Sequence, residues 1–341
     1  MNGKKWYQTS GPDSDIVIST RVRLARNLKN YPFPAMLGDQ KIDEVNRLIR
    51  DTLIKGRSSI AKDFEYTELK NLSQIELISL IERHLISPDL AKKQDTGAVL
   101  FNQDESISIM LCEEDHLRIQ IMRPGLALKE AYDLADKFDT LLNESLGFAF
   151  DDSLGYLTSC PTNLGTAMRV SCMVHLPVME QNGTLRRIAD NISKLGLTIR
   201  GMYGEGSASK AGIYQISNRE TLGISELSTI GKLEDIIAQI SKIEREQRQE
   251  ALKRADMTDY VYRAQGLLRS ARMLPGEEFA TLYSALRLGV IGDLIDDITL
   301  DKLSELFVEA QPATLMKSLG KELTPSERDA ERANLVRKAL T

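Results

Sequence analysis

The sequence predicts an α+β protein, with a sheet flanked by helices over residues 1–228 and an all-helical unit over residues 229–341. Three observations predict it. Apolar residues alternate with polar ones in residues 15–27, 117–122 and 168–176, the period of strands that bury one face. From about residue 228 they recur at three- and four-residue steps instead, the period of helices. The length, 341 residues, is enough for two units that each bury a core.

Composition excludes several classes. Hydrophobic content of 42% and charged content of 27% are those of an ordinary globular chain. A net charge of −5 exerts no general pull on nucleic acid or anionic membrane, so neither is expected as a direct partner. There is no apolar run able to span a bilayer, and the first residues lack the apolar stretch of a signal peptide. Cys112, Cys160 and Cys172 form no C-x-x-C pair and read as free thiols of a reducing, cytoplasmic location.

In chain order, residues 15–27 read as a strand. Ile16, Ile18, Thr20, Val22 and Leu24 take one face, and Val17, Ser19, Arg21 and Arg23 the other. Two guanidinium forks beside a hydroxyl suit a polyphosphate; the alternative is a solvated strand face. Ile42, Val45, Leu48, Ile49 and Leu53 predict a helix, and Leu77, Leu80, Ile81 and Leu85 a second, stopped by Ser87 and Pro88 with His84 at its end. Most such histidines are structural.

Strands are expected over residues 98–101, 107–112 and 117–122, with Glu113, Glu114 and Asp115 at the turn between the last two. Leu117, Ile119 and Ile121 face the core; His116, Arg118 and Gln120 face away. An acidic turn and an arginine therefore meet at one strand end, although such turns are commonly just solvated. A helix follows over residues 128–146, bearing Ala131, Leu134, Ala135, Phe138, Leu141 and Leu142 on one side.

Residues 155–169 form a loop of turn formers around Cys160 that delivers the chain into a strand headed by Arg169. A thiol so placed is either reactive or a buried free cysteine in a tight turn. Beyond a helix near 185–195, the strands 197–200 and 213–217 enclose a glycine-rich loop, residues 201–212, with Glu205 at its middle. Such a loop could close over a ligand and bring backbone amides to phosphate oxygens. It is not a P-loop, because Ser207 stands where the lysine belongs, and no complete G-x-G-x-x-G, H-R-D loop or G-x-S-x-G elbow occurs.

The residues singled out are thus five arginines (Arg21, Arg23, Arg118, Arg169, Arg200), three glutamates (Glu113, Glu114, Glu205) and one thiol. Ser19-Thr20-Arg21-Val22-Arg23, the segment from Glu113 to Arg118, the segment from Cys160 to Thr166 with Arg169, and Arg200-Gly201-x-x-Gly204-Glu205 resemble the four signatures of the ATP:guanido phosphotransferases, the creatine and arginine kinases.

The resemblance implies a mainly antiparallel sheet, MgATP as phosphoryl donor and a guanidinium acceptor. It implies that Ser19, Thr20, Arg21, Val22 and Arg23 bind ATP, with Arg118, Arg169 and Arg200 completing the cationic cradle and His84 matching a nucleotide contact of the bacterial branch. Glu113 and Glu114 would serve catalysis, Glu114 aligning the acceptor; Glu205 would contact it from the loop, and Cys160 would lie against it as a thiolate. Chemistry agrees: in-line phosphoryl transfer needs positioning and charge screening. A guanidinium has no free lone pair and a pKa above about 12, so the carboxylates should orient and polarise it and take its proton late in the transfer.

Two departures bear on the acceptor. The small-molecule kinases carry a helical domain of about a hundred residues before the S-T-R-x-R motif, by resemblance, whereas here the motif begins at Ser19, so a more open site suited to a protein side chain is expected. The second is the helical unit, where Leu233, Ile236, Ile237, Ile240 and Ile243 begin a series of apolar stripes that suggests a homodimer. Near its end Thr324 and Pro325 open a helix carrying Arg328, Asp329, Arg332 and Ala333. That spacing is either a surface helix laced by i,i+4 ion pairs or, with Arg328 and Arg332 one turn apart, a phosphoryl grip. Arg328-Asp329-x-x-Arg332-Ala333 resembles the phosphoarginine-binding motif of the family's bacterial branch, whose members phosphorylate arginine in proteins.

The expected function is therefore ATP-dependent phosphorylation of protein arginine side chains in quality control and stress response. Its implied partners are an AAA+ unfoldase and protease, a heat-shock repressor and an activator protein. The alternatives are a kinase of free arginine, a phosphoarginine-binding regulator without turnover, and a thiol hydrolase pairing Cys160 with His116 or His175. Cys112 stands just before the glutamate pair, where related kinases often carry asparagine.

Overall fold

A computed structural model describes residues 3–55, 63–201 and 211–341. In chain order the first part comprises β1 (Val17–Arg26), α1 (Asp39–Ile54), β2 (Phe64–Glu68), α2 (Gln74–Glu82), α3 (Pro88–Ala91), β3 (Ala98–Asn102), β4 (Ile107–Leu111), β5 (Leu117–Pro124) and α4 (Leu128–Leu146). A short hairpin of β6 (Phe150–Asp151) and β7 (Gly155–Tyr156) precedes β8 (Met168–His175), α5 (Pro177–Gln181), α6 (Thr184–Lys194), β9 (Leu197–Gly201) and β10 (Ile213–Asn218). Among the described residues, eight strands form one antiparallel sheet in the order β2-β3-β4-β5-β1-β8-β10-β9. The α+β class and the antiparallel order are as expected.

The alternation in the strands explains the core. Val22, Leu24, Ile109, Ile119, Ile121, Val170 and Val174 project to one face, where Ala131, Ala135, Phe138 and Leu142 of α4 and Val45, Ile49 and Leu53 of α1 cover them. Each fully buried Val, Leu, Ile or Phe contributes about 1.5–3 kcal/mol. Arg26 ends β1 on this same face, where its Nε lies 2.8 Å from Asp139 Oδ1 of α4 and its guanidinium covers the Tyr156 ring at 3.4 Å. One expectation fails at the start of β1. The register shifts between Val17 and Ser19, so Val17 packs into the sheet core and Ile18 turns towards the helical unit. Ile16 stays in the sheet core beside Val17, so the bulge interrupts the alternation locally, which a strict period of two does not foresee.

The remaining elements are helical: α7 (Glu226–Ala251), α8 (Ala255–Ser270), α9 (Gly276–Ile291), α10 (Leu300–Glu309), α11 (Pro312–Leu319) and α12 (Pro325–Ala339). Ser225 caps α7, and Thr324 with Glu327 forms a reciprocal capping box at α12. Leu233, Ile237 and Ile240 of α7 join the sheet core. Val261, Leu268, Tyr283, Leu286, Leu303, Phe307 and Val336 form a second core, which Val178 and Ile213 extend to the sheet. The helical unit also reaches α2, where the Glu82 carboxylate accepts from the Ala313 and Thr314 amides at 3.0 and 2.7 Å and so caps α11.

Candidate active site

β1 runs between β5 and β8, and that neighbourhood assembles the site. Residues directly opposite in an antiparallel pair share a face. Arg23 stands opposite Arg169 of β8 and Gln120 of β5, Arg21 opposite Ser171, Ala25 opposite Arg118, and Gln215 of β10 opposite Arg200 of β9. All five arginines singled out from the sequence therefore lie on the face turned away from α4.

Among the described residues their partners differ in charge. Arg118 pairs with Glu113 Oε2 at 2.6 Å and stands 3.7 Å from Glu114 Oε2. Arg21 Nη2 donates to Gln215 Oε1 at 2.9 Å, and Arg169 Nη2 to Ser217 Oγ at 3.4 Å, both uncharged. Arg23 Nε is buried without a hydrogen-bond partner among the described residues. Burial, reinforced by Arg169 and Arg118, pushes the Arg21 guanidinium down to about 10; burial and the same crowding by arginines push Arg23 well below its ordinary value. A partly dehydrated row of cations is a site for a multiply charged anion.

Beside the row lies a cavity of about 220 Å³ lined by Arg23, Glu114, Arg118, Cys160, Asn163 and Arg169. The two adjacent glutamates part company here. Glu113 is 3% exposed, accepts from Ser87 Oγ and grips Arg118, so it braces the site from behind. Glu114 faces the cavity, and burial together with Asp115 raises its carboxyl above the usual range. Cys160 opens the short 3-10 turn Pro161–Asn163, its Sγ 3.0 Å from Thr162 Oγ1.

A latch that sequence reasoning missed joins the acidic turn to the thiol loop. Asp115 Oδ1 accepts from Asn27 Nδ2 at 2.6 Å and from the Ser159 amide at 2.8 Å, while Ser159 Oγ donates to the Glu114 carbonyl at 2.7 Å. Asp115 and Ser159 adjoin Glu114 and Cys160 in sequence, which is the one local signal that could have pointed to them.

The other residues singled out are placed as follows. His84 takes up a left-handed conformation at φ 63°, and its carbonyl accepts from Gln120 Nε2 at 2.5 Å. Burial, then Arg21 and Arg23, push its imidazole down to about 4, so it is neutral beside the arginines. Ser19 is buried on the strand that carries Arg21 and Arg23. The side chains of Thr20 and Val22 turn the other way: Thr20 Oγ1 donates to the Gly125 carbonyl at 2.6 Å, and Val22 packs in the core. Glu205 and most of its loop lie outside the described residues.

The C-terminal motif stands apart, on α12 in the second core. Arg332 is 2% exposed and donates to the carbonyls of Ala310 and Leu274 at 2.9 and 2.8 Å and to Asp329 Oδ1 at 2.8 Å; Arg328 is half-exposed. Cys112 is buried in a left-handed turn at φ 53°, its thiol pushed up to about 12 by burial, and its amide donates to the His116 carbonyl at 2.9 Å.

The thiol hydrolase alternative finds no support. His116 Nδ1 accepts from the Leu28 amide at 3.0 Å, and His175 Nε2 pairs with Ser284 Oγ at 2.8 Å. Neither lines the cavity that holds Cys160. Among the described residues there is no cluster of three or more His, Cys, Asp or Glu side chains that could hold a metal, and no helix long and apolar enough to cross a membrane. The arginines are cations with no lone pair to give a metal, so a divalent ion at this site would have to be held by an anion bound there.

Comparison with known proteins gives the same direction. A family model described as "ATP:guanido phosphotransferase, C-terminal catalytic domain" matches residues 44–247, and one described as "Protein-arginine kinase McsB C-terminal domain" matches residues 254–341. A protein of Caldanaerobacter subterraneus subsp. tengcongensis named protein-arginine kinase is 44% identical over 326 residues, 95% of this chain and 96% of its own. Its namesake in Pelotomaculum thermopropionicum is 45% identical over 336 residues, 98% and 94% of the two chains. Among solved structures, the substrate-free duplicated taurocyamine kinase of Schistosoma mansoni superposes with a TM-score of 0.60 at 26% identity, over 82% of this chain and 42% of that one. A lombricine kinase, 24% identical, shares the fold at the same TM-score of 0.60, over 72% and 68% of the two chains.

Proposed function

The chain belongs to the ATP:guanido phosphotransferase family and is an ATP-dependent guanidino phosphotransferase; on that premise we propose that its acceptor is the arginine side chain of proteins. The observation that carries this reading is the row of arginines, with Arg21 and Arg23 buried among like charges, adjoining a cavity that presents Glu114 and Cys160. Relatives named protein-arginine kinase, similar over nearly their whole length, support the protein acceptor.

In this reading Arg21, Arg23, Arg118, Arg169 and Arg200 hold the phosphates, with Ser19 and His84 at the edge of that site. Thr20 and Val22 serve by holding β1 in register, since their side chains face the core. Bound Mg²⁺ would screen the charge on the phosphate oxygens. Glu114 aligns the acceptor guanidinium with its carboxylate, Glu205 approaches from the loop, and Cys160 lies against the acceptor. A guanidino nitrogen forms the N–P bond as the bond from the γ-phosphorus to the bridging oxygen breaks and ADP departs; the proton lost by the guanidinium passes to Glu114 or to solvent. Glu113 acts through Arg118, which it holds at 2.6 Å.

Residues 1–228 would carry this chemistry, while residues 229–341 would serve dimerisation and recognise phosphoarginine through Arg328, Asp329, Arg332 and Ala333. The product would mark cytoplasmic clients for an AAA+ unfoldase and protease and inactivate a heat-shock repressor during stress, with an activator protein as a further partner.

The deciding experiment offers MgATP with free L-arginine and, in parallel, with an unfolded arginine-rich protein, and reads phosphate on nitrogen by phosphorus NMR. Signal on the protein alone is expected. Signal on free arginine would overturn the protein acceptor, and absence of both signals with phosphoarginine still bound would favour a non-catalytic reader.

A further inference from the structure

We propose that Gln215 is a positioning residue of the phosphate cradle, whose uncharged carboxamide aims Arg21 while leaving the guanidinium charge free for the nucleotide. The proposal rests on the reading of the arginine row as the ATP site. Arg21 reaches from β1 across β8 to β10, where its Nη2 meets Gln215 Oε1 at 2.9 Å. Among the described residues no carboxylate pairs with it, and the charged groups that weigh on it, Arg169 and Arg118, are cations.

Two residues along the same face of β10, Ser217 Oγ accepts from Arg169 Nη2 at 3.4 Å. One strand thus offers neutral acceptors at the side-chain period of a strand to arginines from its two nearest neighbours on that side. Gln215 also stands opposite Arg200 on β9, so the amide lies within the cationic row.

The chemistry explains why an amide suits this place. A guanidinium surrounded by cations needs an acceptor to hold its direction. A carboxylate would hold it more strongly, but it would cancel the charge and compete with phosphate for the same N–H groups. Arg118 shows the other solution, since Glu113 places and largely neutralises it.

The test compares Gln215→Glu, Gln215→Leu, Gln215→Asn, Arg21→Ala and the double variant Arg21→Ala/Gln215→Leu, each folded by thermal melting. Binding of MgADP and the KM values for ATP and for the arginine acceptor are measured separately. Gln215→Glu should keep or raise the melting temperature yet weaken nucleotide binding about tenfold or more, as a charge-assisted pair sequesters Arg21. Gln215→Leu and the shorter Gln215→Asn should raise the ATP KM several-fold and leave the acceptor KM unchanged. In the Arg21→Ala background, Gln215→Leu should add nothing, as coupling through one contact requires.

Wild-type nucleotide binding in Gln215→Glu and Gln215→Asn, with binding lost in Arg21→Ala, would overturn the role of Gln215 and leave the cradle standing. So would a full additional loss in the double variant, or an effect confined to the acceptor KM. Normal nucleotide binding in Arg21→Ala would remove the cradle itself and the proposal with it.

Discussion

Arg23 of β1 and Arg169 of β8 stand directly opposite each other in the antiparallel register, two like charges on one face of a sheet. Such a pair opposes pairing of the two strands. It is tolerated where binding of an anion returns what folding gives up.

Arg23→Met should therefore leave the nucleotide-free protein as stable as wild type or up to about 1 kcal/mol more stable, while the ATP KM rises steeply. Thermal melting with and without MgADP checks both halves. Wild type should gain about 2.7 kcal/mol at a hundredfold excess of ligand over Kd, and the variant far less at the same concentration.

Glu113 and Glu114 should separate by phenotype. Glu114→Gln should lower kcat by roughly a hundredfold with an unchanged melting temperature. Glu113→Gln abandons Arg118 in a buried setting and should cost about 3–5 kcal/mol of stability. Because burial and Asp115 raise the Glu114 carboxyl, and only the carboxylate accepts a proton, the acid limb of the rate profile should fall at a higher pH than an ordinary glutamate gives. Rate profiles of wild type and Glu114→Gln, with denaturation of Glu113→Gln, test the set.

Glu244 of α7 is fully buried and accepts from the Val178 and Met179 amides at 3.1 and 2.9 Å, where α5 begins. Burial pushes its carboxyl from the ordinary 4.5 up to about 7. The folded protein holds this proton more tightly than the unfolded chain. The stability Glu244 contributes is therefore complete below pH 4.5 and is lost as pH rises through about 7. Between those values wild type should lose roughly 3 kcal/mol relative to Glu244→Gln, which urea denaturation at several pH values would measure as a difference between the two proteins.

Arg328 and Arg332 should also differ. Arg332→Ala strands the buried carbonyls of Ala310 and Leu274, at a cost of about 1–3 kcal/mol for each acceptor left unpaired. Arg328 is half-exposed, so Arg328→Ala should keep the melting temperature while abolishing binding of a phosphoarginine peptide by the proposed α12 site. Calorimetric titration with that peptide, beside a melting curve, separates recognition from folding. Unchanged peptide binding in Arg328→Ala would remove Arg328 from the proposed pocket.

Much of the site was legible because strand periodicity is local. The alternation in residues 19–24 already put Arg21 and Arg23 on one side and Val22 and Leu24 on the other. What periodicity misread was Ile18, because the bulge that turns it is imposed by pairing with β8. The different stations of Glu113 and Glu114 were also hidden: both sit in a turn, where no period says which side chain points to Ser87 and which to the cavity. Gln215 carried no signal in sequence, since its meaning comes from Arg21, a residue nearly two hundred positions away.

The sequence by itself determined the faces and the residue types. A side-chain period of two sends Arg21 and Arg23 to one side of their strand, and Arg169 carries its charge at the head of another, whatever the neighbours are. Only the tertiary structure decided that these become one row. Strand order is set by long-range pairing, and placing β1 between β5 and β8, with β10 and β9 beyond, brings Arg118, Arg23, Arg21, Arg169 and Arg200 onto one face. The density of positive charge that favours a polyphosphate arises from that order, because electrostatic repulsion and attraction depend on distance in space and not along the chain.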